Sequence, residues 1–482
     1  MAELTYRRRM GVLAICCMSL LIVSLDTTIL NVALPAIRRE LDASVSGLQW
    51  TVDAYILVLA SLLMLSGSTA DRIGRRRVFQ TGLVVFTAGS VLCSLAPSLG
   101  WLVAFRVVQA VGGSMLNPVA MSIITNTFTD SGERARAIGF WGGVVGISMA
   151  AGPLVGGLLV DTVGWRAVFL INLPVGLAAL VLTALFVPES RAARARRLDP
   201  VGQLLVILLL GPLTFGIIEA PVLGWTSPVI TGCLAVACCA LAGLVLYERR
   251  RDDPLIDLRF FRSAPFSGAS AIAVCGFAAL GGFLFLNTLY LQEVRGMTAL
   301  HAGLYLLPMA LMMLLFAPLS GRLVASRGAR PPLLAAGAAM TSAGALPAVA
   351  GTGAHDALLL TSFVLFGIGM GLLNAPVTNT AVSGMPVSQA GVAAGVTSTS
   401  RQVGQVLGVA VIGSVIAAGV GGAVTAGPGF AGAAHASWWI ITGCGVAVLA
   451  LGAATTGTWA RGTAEHAGAL ILAEEARARS AV

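Results

Sequence analysis

Lysine is absent from this 482-residue chain; its 30 basic residues are all arginines. There is therefore no Gly-Lys-Ser/Thr phosphate loop, and the run Gly367-Ile368-Gly369-Met370-Gly371 sits inside an apolar stretch with no strand before it, which excludes a nucleotide site there. Charge as a whole is scarce, at 11% of residues, where a soluble chain carries about 25%. Histidine is nearly missing: His301, His355, His435 and His466 fall in expected loops or the tail. The eight cysteines lie in apolar runs without metal-ligand spacing to histidine, so they read as small buried hydrophobes. No metal cluster, nucleophile–base pair or soluble catalytic domain can be assembled, and neither a cofactor nor an enzymatic reaction is expected.

What the chain has in abundance is apolar residues, 57% of the total with a mean hydropathy of +0.89. Most of that surface must face lipid. A spanning helix needs about 20 apolar residues. That rule places spans near 11–34, 48–66, 78–97, 100–124, 138–159, 166–187 and 201–220, then 228–247, 266–290, 302–321, 332–351, 357–381, 397–420 and 436–459. Arg7-Arg8-Arg9 before the first run imitates a signal peptide. The run continues past 20 residues, contains Asp26 and lacks a small-residue cleavage site, so it reads as a retained first helix.

The formal net charge of +9 would invite a nucleic-acid reading in a soluble protein. Here the arginines sit in short loops between apolar runs and orient the chain in a membrane instead. With the N-terminus inside, 24 arginines fall on the cytoplasmic side and four (Arg38, Arg39, Arg166, Arg295) on the other. That asymmetry predicts both termini in the cytoplasm and an even number of spans.

A charged loop, Gly67-Ser68-Thr69-Ala70-Asp71-Arg72-Ile73-Gly74-Arg75-Arg76-Arg77, follows the second span and returns in worn form as Gly321–Arg330 after the tenth. Gly113-Ser114-Met115-Leu116-Asn117-Pro118-Val119 in the fourth is echoed by Gly371-Leu372-Leu373-Asn374-Ala375-Pro376-Val377 in the twelfth. Both echoes map span n onto span n+8, so spans 1–6 and 9–14 form paired bundles with 7–8 inserted. The expected layout is an N-terminal bundle (1–190), links with the inserted helices (191–263), a C-terminal bundle (264–462) and a cytoplasmic tail (463–482). Duplicated bundles of this kind are the frame of alternating-access transporters.

Charges inside such a frame are costly, by ~2.5 to ~17 kcal/mol each, and are functional candidates by default. Asp26 lies mid-span in Leu25–Pro35, Asp53 about a turn into the second span, and Arg106 about a turn inside the fourth. A carboxylate that is desolvated and also near a guanidinium is pulled in opposite directions. Asp26 or Asp53 is therefore a candidate proton carrier, and Arg106 its partner. Glu219 and Arg401, near span ends, read as snorkelling or loop-packing groups. Gly67 and Gly74 permit a tight turn, and Asp71 in that turn could cap a helix start in one conformation only, as a latch. The fifth span carries Gly142, Gly146, Gly152, Gly156 and Gly157 around Pro153, a pattern for close helix contact with a kink.

On these motifs the chain resembles the major facilitator superfamily, specifically its fourteen-helix drug:proton antiporter branch. Gly67, Asp71, Arg72, Gly74, Arg75, Arg76 and Arg77 match the loop signature, Leu25–Pro35 the helix 1 signature, and Arg106–Gln109 the helix 4 arginine motif. Gly152, Pro153, Gly156 and Gly157 match the antiporter motif, and Ser400–Gly404 with Gly408 the helix 13 run. Ile218–Pro221 and Gly224-Trp225 are similar to the helix 7–8 link of actinomycete antibiotic-resistance exporters of the methylenomycin type. Ala110 departs from the helix 4 motif, where glycine is usual. The resemblance implies an all-α major facilitator fold in the cell membrane, and a monomer is expected. It also implies export of amphipathic, often cationic, small molecules in exchange for protons. An importer or symporter of a metabolite on the same scaffold is the alternative.

Overall fold

The computed structural model describes residues 5–191, 199–251, 257–351, 355–386, 389–420 and 428–480. Among these residues every regular element is helical, and fourteen helices are long and apolar enough to cross a bilayer. In chain order they are α1 (Tyr6–Leu41), α2 (Val45–Ile73), α3 (Arg75–Ser94), α4 (Leu99–Thr127), α5 (Ser131–Thr162), α6 (Ala167–Phe186, broken at Ile171) and α7 (Pro200–Leu223). Then come α8 (Pro228–Glu248), α9 (Ala264–Leu289), α10 (Ala299–Arg327), α11 (Arg330–Ala350), α12 (Asp356–Val382), α13 (Ala390–Val420) and α14 (Pro428–Thr455). Arg194, Arg196 and Arg197, which the arginine asymmetry counted, lie outside the described residues, as do parts of the expected 191–263 link and the last residues of the tail.

Several helices outrun their apolar cores. α1 extends well beyond 11–34 at both ends, because a helix continues past the hydrocarbon wherever long cationic side chains (Arg7–Arg9 and Arg38, Arg39) can reach the headgroups. Polar groups close the turns. Ser44 Oγ accepts from the Gly47 amide at 3.1 Å to start α2, and Asp130 Oδ1 accepts from the Glu133 amide at 2.8 Å to start α5. Past α14 the expected tail is itself a helix, α15 (Thr458–Ser480). Its Ala460, Ala464, Ala467 and Ile471 are buried at helical spacing, and Thr463 Oγ1 accepts from the Ala264 amide at 3.0 Å.

The chain divides into two compact units: residues through Ile207 together with Asn287–Leu307, and Leu208–Leu286 with most of the chain from Pro308 on. In the first, α1 packs on α5, and α4 on both α2 and α3. In the second, α11 packs on α12 and α14, and Phe283 of α9 stacks on Phe366 of α12 with centroids 4.1 Å apart. Leu158, Val181, Leu185, Leu204 and Leu315 point their apolar side chains outward. In water such a surface would be prohibitive; a chain that crosses a bilayer tolerates it.

Candidate functional site

The first unit encloses a polar network in its interior. Asp26 of α1 and Arg106 of α4 are each 1% exposed, with Arg106 Nη1 donating to Asp26 Oδ2 at 2.5 Å. The other carboxylate oxygen, Oδ1, accepts from Gln109 Nε2 at 2.8 Å and from Asn172 Nδ2 at 3.1 Å. Every neighbour of Asp26 donates, which is the pattern of an ionised, acceptor-only carboxylate. Arg106 is held from its other sides as well: Nη1 reaches Gln109 Oε1 at 2.7 Å, Nε reaches the Thr51 carbonyl at 3.2 Å, and the guanidinium carbon lies 4.1 Å from the Tyr55 ring centroid. Ser90 of α3 links Gln109 and Asn172, accepting at 3.3 and 3.0 Å while donating to the Phe169 carbonyl at 2.8 Å. Five helices thus converge on one ion pair.

Periodicity explains why. Arg106 and Gln109 are one turn apart on α4 and so share a face. Asn172 stands where α6 is broken, just after Ile171, which turns its amide toward α1. The structure brings Asp26 and Arg106 together, whereas Asp53 does not join them. Asp53 is fully buried on α2, and among the described residues neither of its carboxylate oxygens has a hydrogen-bond partner. Gln109 was legible only as part of the helix 4 motif. Ser90 and Asn172 carry no charge and stand in otherwise unremarkable apolar runs, so nothing in the sequence singled them out.

At the α2–α3 loop, Gly74 has φ +129°, a conformation that L side chains rarely adopt. Gly67 and Asp71, expected in a turn, lie within α2, and from its last turn Asp71 accepts from Nε and Nη2 of Arg75, the first residue of α3, at 3.1 and 2.9 Å. The residue that caps α3 is Glu189, just past α6: Oε1 accepts from the Arg76 amide at 3.1 Å, and Oε2 lies 3.7 Å from Arg77 Nε. A Cβ on Gly74 would stand 2.6 Å from Glu189 Oε1, so the glycine makes room for the cap. Arg72 closes the last turn of α2, and Gly67 sits beside Pro118 of α4.

The glycine face of α5 packs flush on α1 just past Asp26. A Cβ on Gly152 would collide with Thr28 Oγ1, and one on Gly156 would stand 2.7 Å from Ile29 Cγ1. Thr28 Oγ1 reaches the Ser148 carbonyl at 3.5 Å. The same face meets the start of α10: Gly157 lies against Ala299 and Leu300, and Gly303 against the carbonyl of Pro153. One turn on, Asp161 caps α10, its two oxygens accepting from the Ala299 and Leu300 amides at 3.2 and 2.9 Å. The far end of α1 is tied to the end of α9 by Glu293, 3.7 Å from Arg38 and 3.6 Å from Arg39. Gln292 Nε2 donates to the Val32 carbonyl at 2.9 Å nearby.

A family model described as Major Facilitator Superfamily matches residues 16–409. The chain belongs to the major facilitator superfamily. It is 40% identical over 401 residues to the multidrug resistance protein Stp of Mycobacterium tuberculosis, covering 83% of this chain and 74% of that protein. The tetracenomycin C resistance and export protein of Streptomyces glaucescens is 41% identical, with 83% and 74% covered. The methylenomycin A resistance protein of Streptomyces coelicolor is 36% identical, with 82% of each covered. Among solved structures, a bacterial homologue of the human lysosomal transporter Spinster, inward-facing and occupied, superposes with a TM-score of 0.67 over 95% of this chain and 99% of its own at 16% identity, a likeness of fold. This superfamily member is thus an all-α multi-pass membrane protein of the major facilitator fold.

Proposed function

We propose that this chain is a proton-coupled exporter of amphipathic small molecules that works by alternating access and is not an enzyme. One observation carries the proposal: a fully buried Asp26–Arg106 pair, with every bond to the carboxylate donated, in a chain about 40% identical to proteins named for drug resistance and export. Isolating such a pair from water can cost more than its attraction returns, and here the bonds from Gln109, Asn172 and Thr51 offset part of that cost. Protonating Asp26 removes its charge and breaks the ion pair, while Arg106 keeps its bonds to Gln109 and Thr51. That is a switch between two charge arrangements, and it suits a rocking pair of bundles in which proton entry from outside accompanies release of cargo.

In this reading spans 1–6 and 9–14 are the moving bundles and 7–8 are inserted. Both termini lie in the cytoplasm, and a single chain in the cell membrane is the working unit. Asp53, buried without a hydrogen-bond partner among the described residues, is the second proton site. The Gly67–Arg77 loop, held by Asp71–Arg75 and Glu189, latches one face. The test is a dye-resistance and efflux panel in a pump-deficient host, with the proton gradient intact and then collapsed. Gradient-dependent efflux supports the proposal; accumulation of the dyes, or efflux indifferent to the gradient, overturns it.

A further inference from the structure

Arg401, set among the helices of the second unit, has no ion-pair partner among the described residues. Arg401 lies about three turns into α13, too deep to be a loop-packing group. Its setting is built. Gly408 of α13 lies flush against Ala278 of α9, and a Cβ on Gly281 of α9 would stand 2.5 Å from the Gln405 carbonyl, so the two helices are pinned together on its C-terminal side. Phe277 of α9 presents its ring 5.9 Å from the guanidinium carbon, and Nη2 donates to Thr378 Oγ1 of α12 at 2.5 Å. Nε is buried without a partner among the described residues. Most of the five donors of the fork are therefore unused, and among the described residues no carboxylate stands within ion-pair distance.

A guanidinium held half-buried between three helices, with no carboxylate at ion-pair distance among the described residues, fits a charge that arrives from outside the chain. We propose that Arg401 is the recognition site for an anionic group, a carboxylate or sulfonate, on the exported compound. The ring of Phe277 offers the apolar surface beside it. A planar fork binds such a group through two parallel bonds, which a lysine ammonium reproduces only as a point charge. The proposal rests on the export reading and sharpens it: amphipathic anions are preferred cargo.

The test uses the full-length protein in lipid nanodiscs and equilibrium binding of two probes with the same ring, dansylglycine and a dansyl derivative bearing trimethylammonium in place of the carboxylate. Wild type should bind the anion more tightly. Arg401→Gln should weaken dansylglycine by about tenfold or more, the scale of a charge-assisted bond, with the loss confined to the anion. Arg401→Lys should recover part of it. Equal losses for both probes in Arg401→Gln and Arg401→Lys would mean a structural role and overturn the assignment; so would a wild type indifferent to probe charge, or an Arg401→Gln protein that binds dansylglycine unchanged. Binding needs no gradient and no turnover, so its failure leaves export standing. Gradient-driven movement of the ammonium probe is read separately and bears on export alone.

Discussion

Two side chains beside the ion pair separate what the network needs from what merely fills space. Tyr55 offers its ring to Arg106 but its hydroxyl has no hydrogen-bond partner among the described residues. Tyr55→Phe should therefore leave the thermal midpoint and transport close to wild type, while Tyr55→Ala opens a void beside the guanidinium and lowers the midpoint. Gln109 is different, since it both accepts from Arg106 and donates to Asp26. Gln109→Leu keeps the volume and strands bonds at both charges, at a cost of about 1–3 kcal/mol, readable as a lower unfolding midpoint in detergent. A midpoint unmoved by Gln109→Leu would mean the pair is held without its help. Asp26 and Arg106 were legible because charge is so rare in these runs. Their neutral supporters were not, because an asparagine or serine in a membrane helix has many uses and only the packing shows which one applies.

Helices meet through glycine faces and caps, and these make their own predictions. Gly74→Ala places a side chain at φ +129° and against the Glu189 carboxylate, so it should destabilise the α2–α3 loop by about 1–3 kcal/mol and shift the unfolding midpoint down. A neutral Gly74→Ala would contradict the strained geometry. At the start of α10 the cap is Asp161. Asp161→Ala should cost about 1 kcal/mol and speed amide hydrogen exchange at Ala299 and Leu300 severalfold, and unchanged exchange there would show that the first turn of α10 does not depend on this carboxylate. The sequence suggested a capping acid, but at Asp71. In the structure Asp71 folds back onto Arg75, and helix starts are capped by Glu189 and Asp161. These two caps are long-range pairings, and a single acid at a span end does not reveal which helix start will lie opposite. Gly152, Gly156 and Gly157 were readable as a contact face from spacing alone, although not which helices they would touch. The tail helix went unexpected because its buried face is mostly alanine, too weak a hydrophobic signal to stand out beside fourteen spans.

At the scale of the whole chain, number of spans, helix class and family were open to reading from hydropathy, arginine asymmetry and short motifs, since lipid allows few solutions to burying the backbone. Working direction and cargo belong to charges that change partners during a cycle. For that reason the deciding measurement is a functional one, made on everted membrane vesicles with an imposed pH gradient and a fluorescent cargo. Proton coupling through Asp26 requires that wild type move the dye only while the gradient stands. It also requires that Asp26→Asn, present in the membrane at normal levels and still binding the dye, show no gradient-driven movement above vesicles lacking the protein. Full gradient-driven transport by Asp26→Asn would contradict it.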